Sequence, residues 1–500
     1  MTTERISWLP RQRASGILLP IYSLPSKYGI GTMGEASSNF VDWLRKAGQT
    51  FWQILPLGYT GYGNCPYSTF STFAGNPLFI DLDLLVKKGL LCEGDLGQLN
   101  DYNPDRVDYA RVIEEKYPIL RKAYEKAKQL GIAQKSIDEF ERENSFWLDD
   151  YAMYMAIRDS YGQKPFWEWQ DNRITMREQK ALEEFKKIHG DEVNFYKFIQ
   201  VLFFEQYFAM KDYANSQGIK IIGDIPFYVP SDSADVWANP ELFSKDESAG
   251  VPPDYYSATG QLWGNPVYEW EVHQKTGFAW WIKRIKFQLK TTDVLRLDHF
   301  RAFQNYWAVP NGETTAINGK WKPGPRMELF NALEKELGEL PFIAEDLGII
   351  TDDVRELLSE TGFPGMAVFV FGLSKSEDNM YLPHNLGRGT IAYPSTHDSE
   401  TFKQWVLDVL GDDDRKFAIN YVGAKENPEK IGLYAIRSMM ASPAGLVISP
   451  IQDVLSLGRE GRMNIPGTAC GNWEWKVRAD DLTDTLAGEL REMTETYKRC

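Results

Sequence analysis

Acidic and basic side chains follow several short apolar runs of this sequence, at the points where a β-strand would end. In the run DVLRLDHFRAF, residues 293–303, Arg296 and Asp298 are two positions apart and His299 follows directly. Alternate residues of a strand share one face, so we expect the guanidinium and the carboxylate to face the same space. A neighbouring cation lowers the pKa of a carboxyl and keeps it ionised, as a nucleophile requires. A buried ion pair of purely structural use is the alternative.

Further candidate groups occupy the same kind of place at the ends of other apolar runs. They are Asp224, Glu345, Asp346, His397 and Asp398. Glu345 closes an apolar run, and partial burial there would raise its pKa and keep it protonated as a general acid. Asp346 competes for this role, and the residues alone leave the choice open. His397 and Asp398 would form a His/Asp couple, but no GxSxG or reactive-cysteine motif accompanies them.

This combination of residue types is typical of glycosidic-bond chemistry. A carboxylic acid protonates the departing oxygen while a carboxylate attacks the anomeric carbon, and the two groups lie about 5 to 5.5 Å apart in retaining enzymes. A third carboxylate can accept hydrogen bonds from sugar hydroxyls. A metal site is the less favoured alternative, since the histidines form no HExxH motif and the cysteines no CxxC pair. We therefore expect no metal and no cofactor.

The elements that must position these groups are eight short apolar runs, which we interpret as β-strands. They begin at Gly16, Phe51, Ile219, Val294, Pro341, Gly365, Thr390 and Gly445. Helical patterns separate several of the runs, and this alternation predicts a parallel sheet. No GxGxxG turn follows the first run, which favours a closed (β/α)8 TIM barrel over an open doubly wound sheet. The predicted fold class is therefore α/β.

The uneven spacing of the runs predicts one catalytic barrel, residues 1–500, with large and mainly helical insertions. Residues 58–195, between the second and third strands, carry helical, charged patterns and are interpreted as an inserted helical subdomain. Residues 230–292, between the third and fourth strands, are rich in glycine, proline and aromatic residues. We interpret them as a loop-rich insertion.

Charge and composition narrow the range of partners. The net charge of −15 and the pI near 5.0 disfavour nucleic acid and anionic lipid and fit a neutral or cationic substrate. The N-terminus has no apolar signal segment, and no stretch approaches the roughly 20 apolar residues that span a bilayer. We expect a cytoplasmic protein without a membrane or nucleic-acid partner, and the unpaired cysteine pattern fits that reducing compartment.

A series of segments along the chain resembles the amylomaltases, the bacterial 4-α-glucanotransferases or disproportionating enzymes of the α-amylase clan. The segments are LPLGYTGYGNCPYSTFSTFAGNP, GDIPFYVPSDSADVW, AGVPPDYYSATGQLWGNP, RLDHFRAF, IAEDLG, STHDSET and NIPGTACGNWEW. The resemblance runs almost from end to end of the sequence. It implies the barrel fold without a C-terminal β-sandwich domain, because the sequence ends soon after the last barrel run. It also implies a glycosyltransferase activity, with Asp298 as the nucleophile, Glu345 rather than Asp346 as the general acid/base, and Asp398 as the transition-state stabiliser.

The resemblance also implies a set of substrate contacts. Arg296 would orient Asp298. The remaining implied sugar contacts are Asp224, His299 and His397 by hydrogen bonds, Tyr67 and Trp263 by stacking near the scissile bond, and Tyr62 and Asn472 as further glucan contacts. For each aromatic ring, packing under a loop is the alternative.

Two departures from the family pattern concern the surroundings of the implied site. Cys65 stands where relatives often carry serine. The segment HDSET, residues 397–401, replaces the more usual HDNDT, so we expect altered contacts around Asp398.

The implied reaction transfers α-1,4-glucan segments from one maltooligosaccharide or starch chain to the 4-hydroxyl of another by a retaining double displacement. Glucans, maltooligosaccharides and glucose would be donors and acceptors, and we expect a monomer with a dimer as the alternative. A hydrolase of amylase or glucosidase type is the main rival. An isomerase acting within one disaccharide and a non-catalytic glucan-binding protein are weaker rivals.

Overall fold

Eight parallel strands close into a barrel, as the apolar runs predict. The computed structural model describes residues 8–9, 12–61, 63–97, 99, 101–253, 257–468 and 470–500. Its strands in chain order are β1 (Ala14–Leu18), β2 (Phe51–Gln53), β3 (Lys220–Ile225), β4 (Phe243–Val251), β5 (Gln261–Tyr268), β6 (Val294–Leu297), β7 (Asn305–Pro310), β8 (Lys320–Pro323), β9 (Phe342–Ala344), β10 (Gly365–Val368), β11 (Thr390–Tyr393) and β12 (Leu446–Pro450). The barrel order is β1-β2-β3-β6-β9-β10-β11-β12, so each predicted run contributes one strand. The predicted α/β class and TIM barrel are confirmed.

The barrel strands are short and buried, which explains why their sequences are apolar runs rather than alternating patterns. All residues of β1 and β12 are buried. Gly16 lies where β1 passes very close to both neighbours. A Cβ atom there would be 2.5 Å from the carbonyl oxygen of Phe51 on β2 and 2.9 Å from Cδ1 of Ile448 on β12.

The α-helices surround the barrel or belong to the insertions. They are α1 (Glu35–Lys46), α2 (Leu82–Lys87), α3 (Glu93–Leu96), α4 (Tyr109–Gln129), α5 (Ala133–Asn144), α6 (Leu148–Ser160), α7 (Asn172–Thr175), α8 (Gln179–Ser216), α9 (Ala234–Ala238), α10 (Trp270–Lys275), α11 (Ala279–Thr291), α12 (Arg301–Gln304), α13 (Arg326–Leu337), α14 (Asp352–Thr361), α15 (Phe402–Gln404), α16 (Asp412–Val422), α17 (Ile431–Ala441), α18 (Ile451–Val454) and α19 (Asp484–Thr496). Among the described helices, none is both long and apolar enough to cross a bilayer.

The segment between β2 and β3 is mainly helical and contains α2 to α8. The longest helix, α8, has 38 residues and a non-helical residue, His189, at φ −111° and ψ 21°, so the helix is kinked there. Beyond the kink α8 contacts β3 and ends at Ser216. The interpretation of residues 58–195 as a separate subdomain stays a prediction, and α8 joins that range to the barrel.

Residues 230–292 contain more regular structure than the loop-rich insertion that the sequence suggests. In this range β4 and β5 pair antiparallel, and α9, α10 and α11 flank them. With β7 and β8, which lie between β6 and β9, they form a second sheet of order β5-β4-β7-β8. The sequence predicts no insertion between β6 and β9, so β7 and β8 are an addition to the predicted fold. In β4 and β5, polar residues and glycine interrupt the apolar pattern, and β8 is a short strand with two lysines.

Candidate active site

The carboxyl ends of β6 and β9 bring two of the predicted groups to the same level of the barrel. In the parallel register Leu297 on β6 pairs with Ala344 on β9. Asp298 and Glu345 directly follow these two residues. Neighbouring strands lie about 4.8 Å apart, so the two carboxyl-bearing residues stand side by side at the barrel mouth.

Arg296 joins two carboxylates in the buried floor of this site. Its Nη1 atom is 3.0 Å from Asp298 Oδ1 and 2.8 Å from both carboxylate oxygens of Asp224. Arg296 is only 3% exposed, so water screens its charge weakly. Burial raises the pKa of Asp224, and the Arg296 charge opposes this rise. The prediction that Arg296 and Asp298 face the same space is confirmed.

Glu345 has the environment of a general acid. Its Oε2 atom accepts a hydrogen bond from the backbone N–H of His299 at 2.8 Å, and its Oε1 atom accepts one from the N–H of Leu347 at 3.1 Å. Burial raises the pKa of Glu345 to about 8, with the negative charge of Asp298 acting in the same direction and Arg296 opposing it. The carboxyl is therefore largely protonated at neutral pH.

The neighbouring carboxyl, Asp346, faces away from this group. Its Oδ1 atom accepts a hydrogen bond from the N–H of Met366 on β10 at 2.7 Å. The carboxylate lies directly against Gly365, where a Cβ atom would be 2.6 Å from Asp346 Oδ2. Asp346 therefore supports the packing of β10, and its side chain has different partners from that of Glu345.

Tyr67 links Asp224 to the loop that follows β11. Its hydroxyl donates to Asp224 Oδ2 at 2.7 Å and lies 2.8 Å from Nε2 of His397. Because the Tyr67 proton is directed to the carboxylate, Nε2 of His397 must carry the proton that it shares with the Tyr67 oxygen. The same nitrogen is 3.2 Å from Oδ2 of Asp398. A continuous polar chain therefore runs from Asp398 to Asp224.

Asp398 faces the open side of the site. Its side chain is 48% exposed, and its Oδ1 atom accepts a hydrogen bond from Asn464 Nδ2 at 2.8 Å. Partial burial by itself raises the pKa of Asp398, but His397 and the hydrogen bond from Asn464 lower it to about 2. Asn464 is not among the residues that the sequence predicts for the site. The only signal was its place in the segment NIPGTACGNWEW, because nothing in the residue type or spacing distinguishes it.

A cleft of about 700 Å³ is lined by Asp298 together with Tyr67, Trp263 and His299. The Trp263 ring is 38% exposed and stands edge-on to the His299 ring, with centroids 4.9 Å apart. Burial lowers the pKa of His299 to about 4, so its imidazole is neutral near neutral pH. His299 also has a left-handed backbone, with φ 51°, which places strain at the point where its N–H meets Glu345.

The other predicted residues have different surroundings. Tyr62 lies outside the described residues. The Asn472 amide is engaged inside its own loop, where it accepts from the N–H of Ile465 and donates to Thr468. Cys65 lines the cleft, and burial raises the pKa of its thiol to about 12. In the described ranges, no cluster of three or more His, Cys, Asp or Glu residues is arranged to hold a metal ion.

The changed positions of HDSET have their own partners in the loop that carries Asp398. Ser399 Oγ accepts from the N–H of Thr396 at 3.0 Å, and Glu400 is 2.5 Å from Arg462. The expected alteration of contacts around Asp398 stays a prediction.

Comparison with known sequences finds one family model along most of the chain. The model is that of the 4-alpha-glucanotransferases, and it matches residues 19–483. A 4-alpha-glucanotransferase of Synechocystis sp. is 47% identical, with 98% of each chain covered. A 4-alpha-glucanotransferase of Clostridium butyricum is 43% identical, covering 96% of this chain and 99% of that protein.

Comparison with solved structures agrees with the sequence matches. Amylomaltase from Streptococcus agalactiae, solved in complex with acarbose, superimposes with a TM-score of 0.95 and 40% identity, covering 98% of this chain and 100% of that one. Amylomaltase from Corynebacterium glutamicum gives a TM-score of 0.80 at 20% identity, covering 100% of this chain and 77% of that one. The second likeness concerns the fold alone.

Proposed function

Because this chain belongs to glycoside hydrolase family 77, the 4-alpha-glucanotransferases, we propose that Asp298, Glu345 and Asp398 carry out its reaction. The enzyme is a retaining 4-alpha-glucanotransferase. It transfers segments of an α-1,4-glucan to the 4-hydroxyl of another chain. The observation that carries the assignment is the side-by-side place of Asp298 and Glu345 at the ends of β6 and β9, with Asp298 ion-paired to Arg296 and Glu345 half-buried.

In the first step the Asp298 carboxylate attacks the anomeric carbon of the donor and forms a glycosyl ester. The glycosidic bond breaks, and its electron pair stays on the departing oxygen, which takes the proton of Glu345. The ion pair with Arg296 supports this role, because it balances the charge of the Asp298 carboxylate and fixes its direction. The raised pKa of Glu345 supports the other role, because it makes a proton available at neutral pH.

In the second step the 4-hydroxyl of an acceptor sugar attacks the same carbon. Glu345, now a carboxylate, takes the hydroxyl proton while the bond to Asp298 breaks, so both carboxyl groups return to their starting states. Two inversions at one carbon retain the configuration.

The remaining groups hold the sugar in the cleaved position. We assign Asp398 to stabilising positive charge at the anomeric centre, since its lowered pKa keeps it ionised. Asp224, His397 and the neutral imidazole of His299 are assigned to hydrogen bonds with sugar hydroxyls, and Tyr67 to stacking and to holding Asp224. Asn472 is assigned a supporting role in its loop, which fits its internal hydrogen bonds better than a direct sugar contact.

Transfer requires that an acceptor sugar displace water from the cleft. Trp263 supports this, because an exposed and rigidly packed aromatic ring can hold a sugar in attack geometry. We propose maltooligosaccharides and glucose as donors and acceptors of a cytoplasmic monomer, with a dimer as the alternative. The four free cysteines fit a reducing compartment.

Incubation with maltotriose tests the reaction. Transfer produces glucose and a ladder of longer chains at a constant number of reducing ends. A steady increase in reducing ends would instead identify the hydrolase, and a rearranged isomer of the substrate without a ladder would identify the isomerase.

A further inference from the structure

Asp453 is a buried carboxylate that the reaction does not use directly. It lies in α18, immediately after the last barrel strand β12, and none of its surface is exposed. Its Oδ2 atom accepts a hydrogen bond from Ser395 Oγ at 2.5 Å, and its Oδ1 atom accepts one from the N–H of Phe402 at 2.7 Å. Both donors belong to a different part of the chain: Ser395 follows β11, and Phe402 is the first residue of α15.

The two donors bracket the loop that carries His397 and Asp398. Ser395 precedes this loop and Phe402 follows it, so one carboxyl group ties together both ends of residues 396–401. The two hydrogen bonds hold both loop ends against the same buried carboxyl group. The loop between the two anchors then has little freedom to move its side chains away from the sugar.

The backbone of Asp453 is itself held in place by a close helix contact. Gly432 on α17 packs directly against it, since a Cβ atom at Gly432 would be 2.2 Å from the carbonyl oxygen of Asp453. The anchor is therefore built on two packed helices and a barrel strand rather than on another loop.

The segment that follows α18 adds contacts to the same loop. Asn464 donates directly to Asp398 at 2.8 Å, and Arg462 lies 2.5 Å from Glu400. Thr401 Oγ1 also donates to the carbonyl oxygen of Gly458 at 3.3 Å. Residues 453–464 thus hold the loop at its ends and at its centre.

We propose that Asp453 is a positioning residue that sets the place of Asp398 and His397 against the sugar during glycosyl transfer. Burying a carboxylate without a gain elsewhere is costly, so a hydrophobic side chain would be the simpler filling of this space. A carboxylate is suited to the task because two oxygens on one rigid group accept from two directions. The inference rests on the proposed role of Asp398.

Three variants test it with maltotriose as the substrate. Asp453→Ala removes both acceptors, and we expect kcat to fall at least about tenfold while KM changes less than about twofold, since misplacing a catalytic group lowers turnover more than binding. Asp453→Asn should recover kcat to within about threefold of the native value, because its amide oxygen can accept from Phe402 and its NH2 can donate to the Ser395 hydroxyl. Val454→Ala, at an equally buried neighbour, is the matched control and should lower thermal stability without lowering kcat.

Calorimetric titration with acarbose separates misplacement from misfolding. Binding near one site per chain in Asp453→Ala would show that the lower kcat belongs to folded enzyme. Ser395→Ala removes only one of the two hydrogen bonds to Asp453, so its kcat should lie between those of the native enzyme and Asp453→Ala. If Asp453→Ala does not fold, Ser395→Ala tests the positioning role in its place.

Native kcat per binding-competent site in Asp453→Ala, or in Ser395→Ala if the first variant is unfolded, would overturn the inference. So would a loss of kcat in Val454→Ala equal to that in Asp453→Ala. The turnover of Asp398→Asn, measured in the same assay, separates the proposed role of Asp398 from the positioning role of Asp453. Native turnover in Asp398→Asn overturns the proposed role of Asp398, whereas a loss there with native turnover in Asp453→Ala overturns only the positioning role.

Discussion

Glu345 and Asp346 are adjacent acidic residues with opposite surroundings, and this difference can be tested by one pair of variants. Glu345→Gln keeps the shape of the side chain but supplies no proton to the departing oxygen, so we expect kcat for maltotriose to fall at least about a hundredfold with the fold intact. Asp346→Asn is the matched control, because Asp346 bonds to Met366 on β10 and should affect stability rather than turnover. Equal losses in both variants would contradict the assignment.

The protonation of Glu345 predicts the alkaline limit of activity. Burial raises its pKa to about 8, so the acid form is present below that pH and is lost as the pH increases through it. We expect kcat/KM for maltotriose to decrease about tenfold per pH unit above pH 8, since the free enzyme must bring the proton.

The control for this pH profile is the residual activity of Glu345→Gln. Its side chain does not titrate, so the alkaline decrease centred near pH 8 should disappear from its profile. If kcat/KM decreased near pH 8 in the variant as it does in the native enzyme, the titrating group would be a residue other than Glu345.

At the scale of elements, the sequence predicts the barrel strands well and the second sheet poorly, for one physical reason. Strands buried on both faces are mainly apolar, so β1, β6 and β12 are visible as nearly continuous apolar runs, interrupted in β6 by Arg296. By contrast β5 contains Gly264 with φ 75° and Pro266, and its pairing with β4 includes register shifts. Such a sheet is held by pairing between distant segments, and a local pattern does not reveal it.

The same distinction applies to the candidate site. Asp298 and Glu345 could be predicted because they end barrel strands, where polar groups gather in this fold. Asn464 and Asp453 could not, because they act on a loop contributed by a different segment, and only the tertiary structure brings the segments together. The direction of the Glu345 and Asp346 side chains also needed the observed hydrogen bonds.

The close contact of β1 with its neighbours gives a prediction for barrel stability. Gly16→Ala would place a methyl group 2.5 Å from the carbonyl oxygen of Phe51, so the strands would have to move apart. We expect the free energy of unfolding in urea to decrease by about 1 to 3 kcal/mol or more, the usual effect of overpacking.

A glycine in an open helical site provides the opposite control. At Gly488 in α19 a Cβ atom would meet nothing within 4 Å. Gly488→Ala should therefore increase the free energy of unfolding by about 0.5 to 1 kcal/mol, because alanine loses less backbone freedom in a helix. A similar decrease in the free energy of unfolding of both variants would contradict the inference that close packing at Gly16 requires glycine.

At the scale of the whole molecule, several of the many acidic side chains lie in the interior rather than on the surface. Asp235 and Asp453 are buried, Asp346 is half-buried, and all three lie outside the group proposed to contact the sugar. Burial raises the pKa of each to about 6. A carboxyl with a raised pKa in the folded state binds its proton more tightly there than in the unfolded chain. Each such group therefore favours folding at low pH and opposes it as the pH increases from about 4 to about 6.

Asp235 allows this effect to be measured away from the reaction. Burial raises its pKa to about 6, against hydrogen bonding from the N–H of Thr72 at 2.8 Å and the charge of Arg284. The contribution of Asp235 to the free energy of unfolding should therefore decrease by on the order of 3 kcal/mol between pH 4 and pH 7. In Asp235→Asn this contribution is absent, so urea unfolding should depend less on pH than in the native enzyme by about that amount. Asp412→Asn, at a side chain 85% exposed, is the control and should keep the native pH dependence. An unchanged pH dependence in Asp235→Asn would mean that Asp235 stays ionised in the folded protein through this range, with Arg284 and Thr72 outweighing its burial.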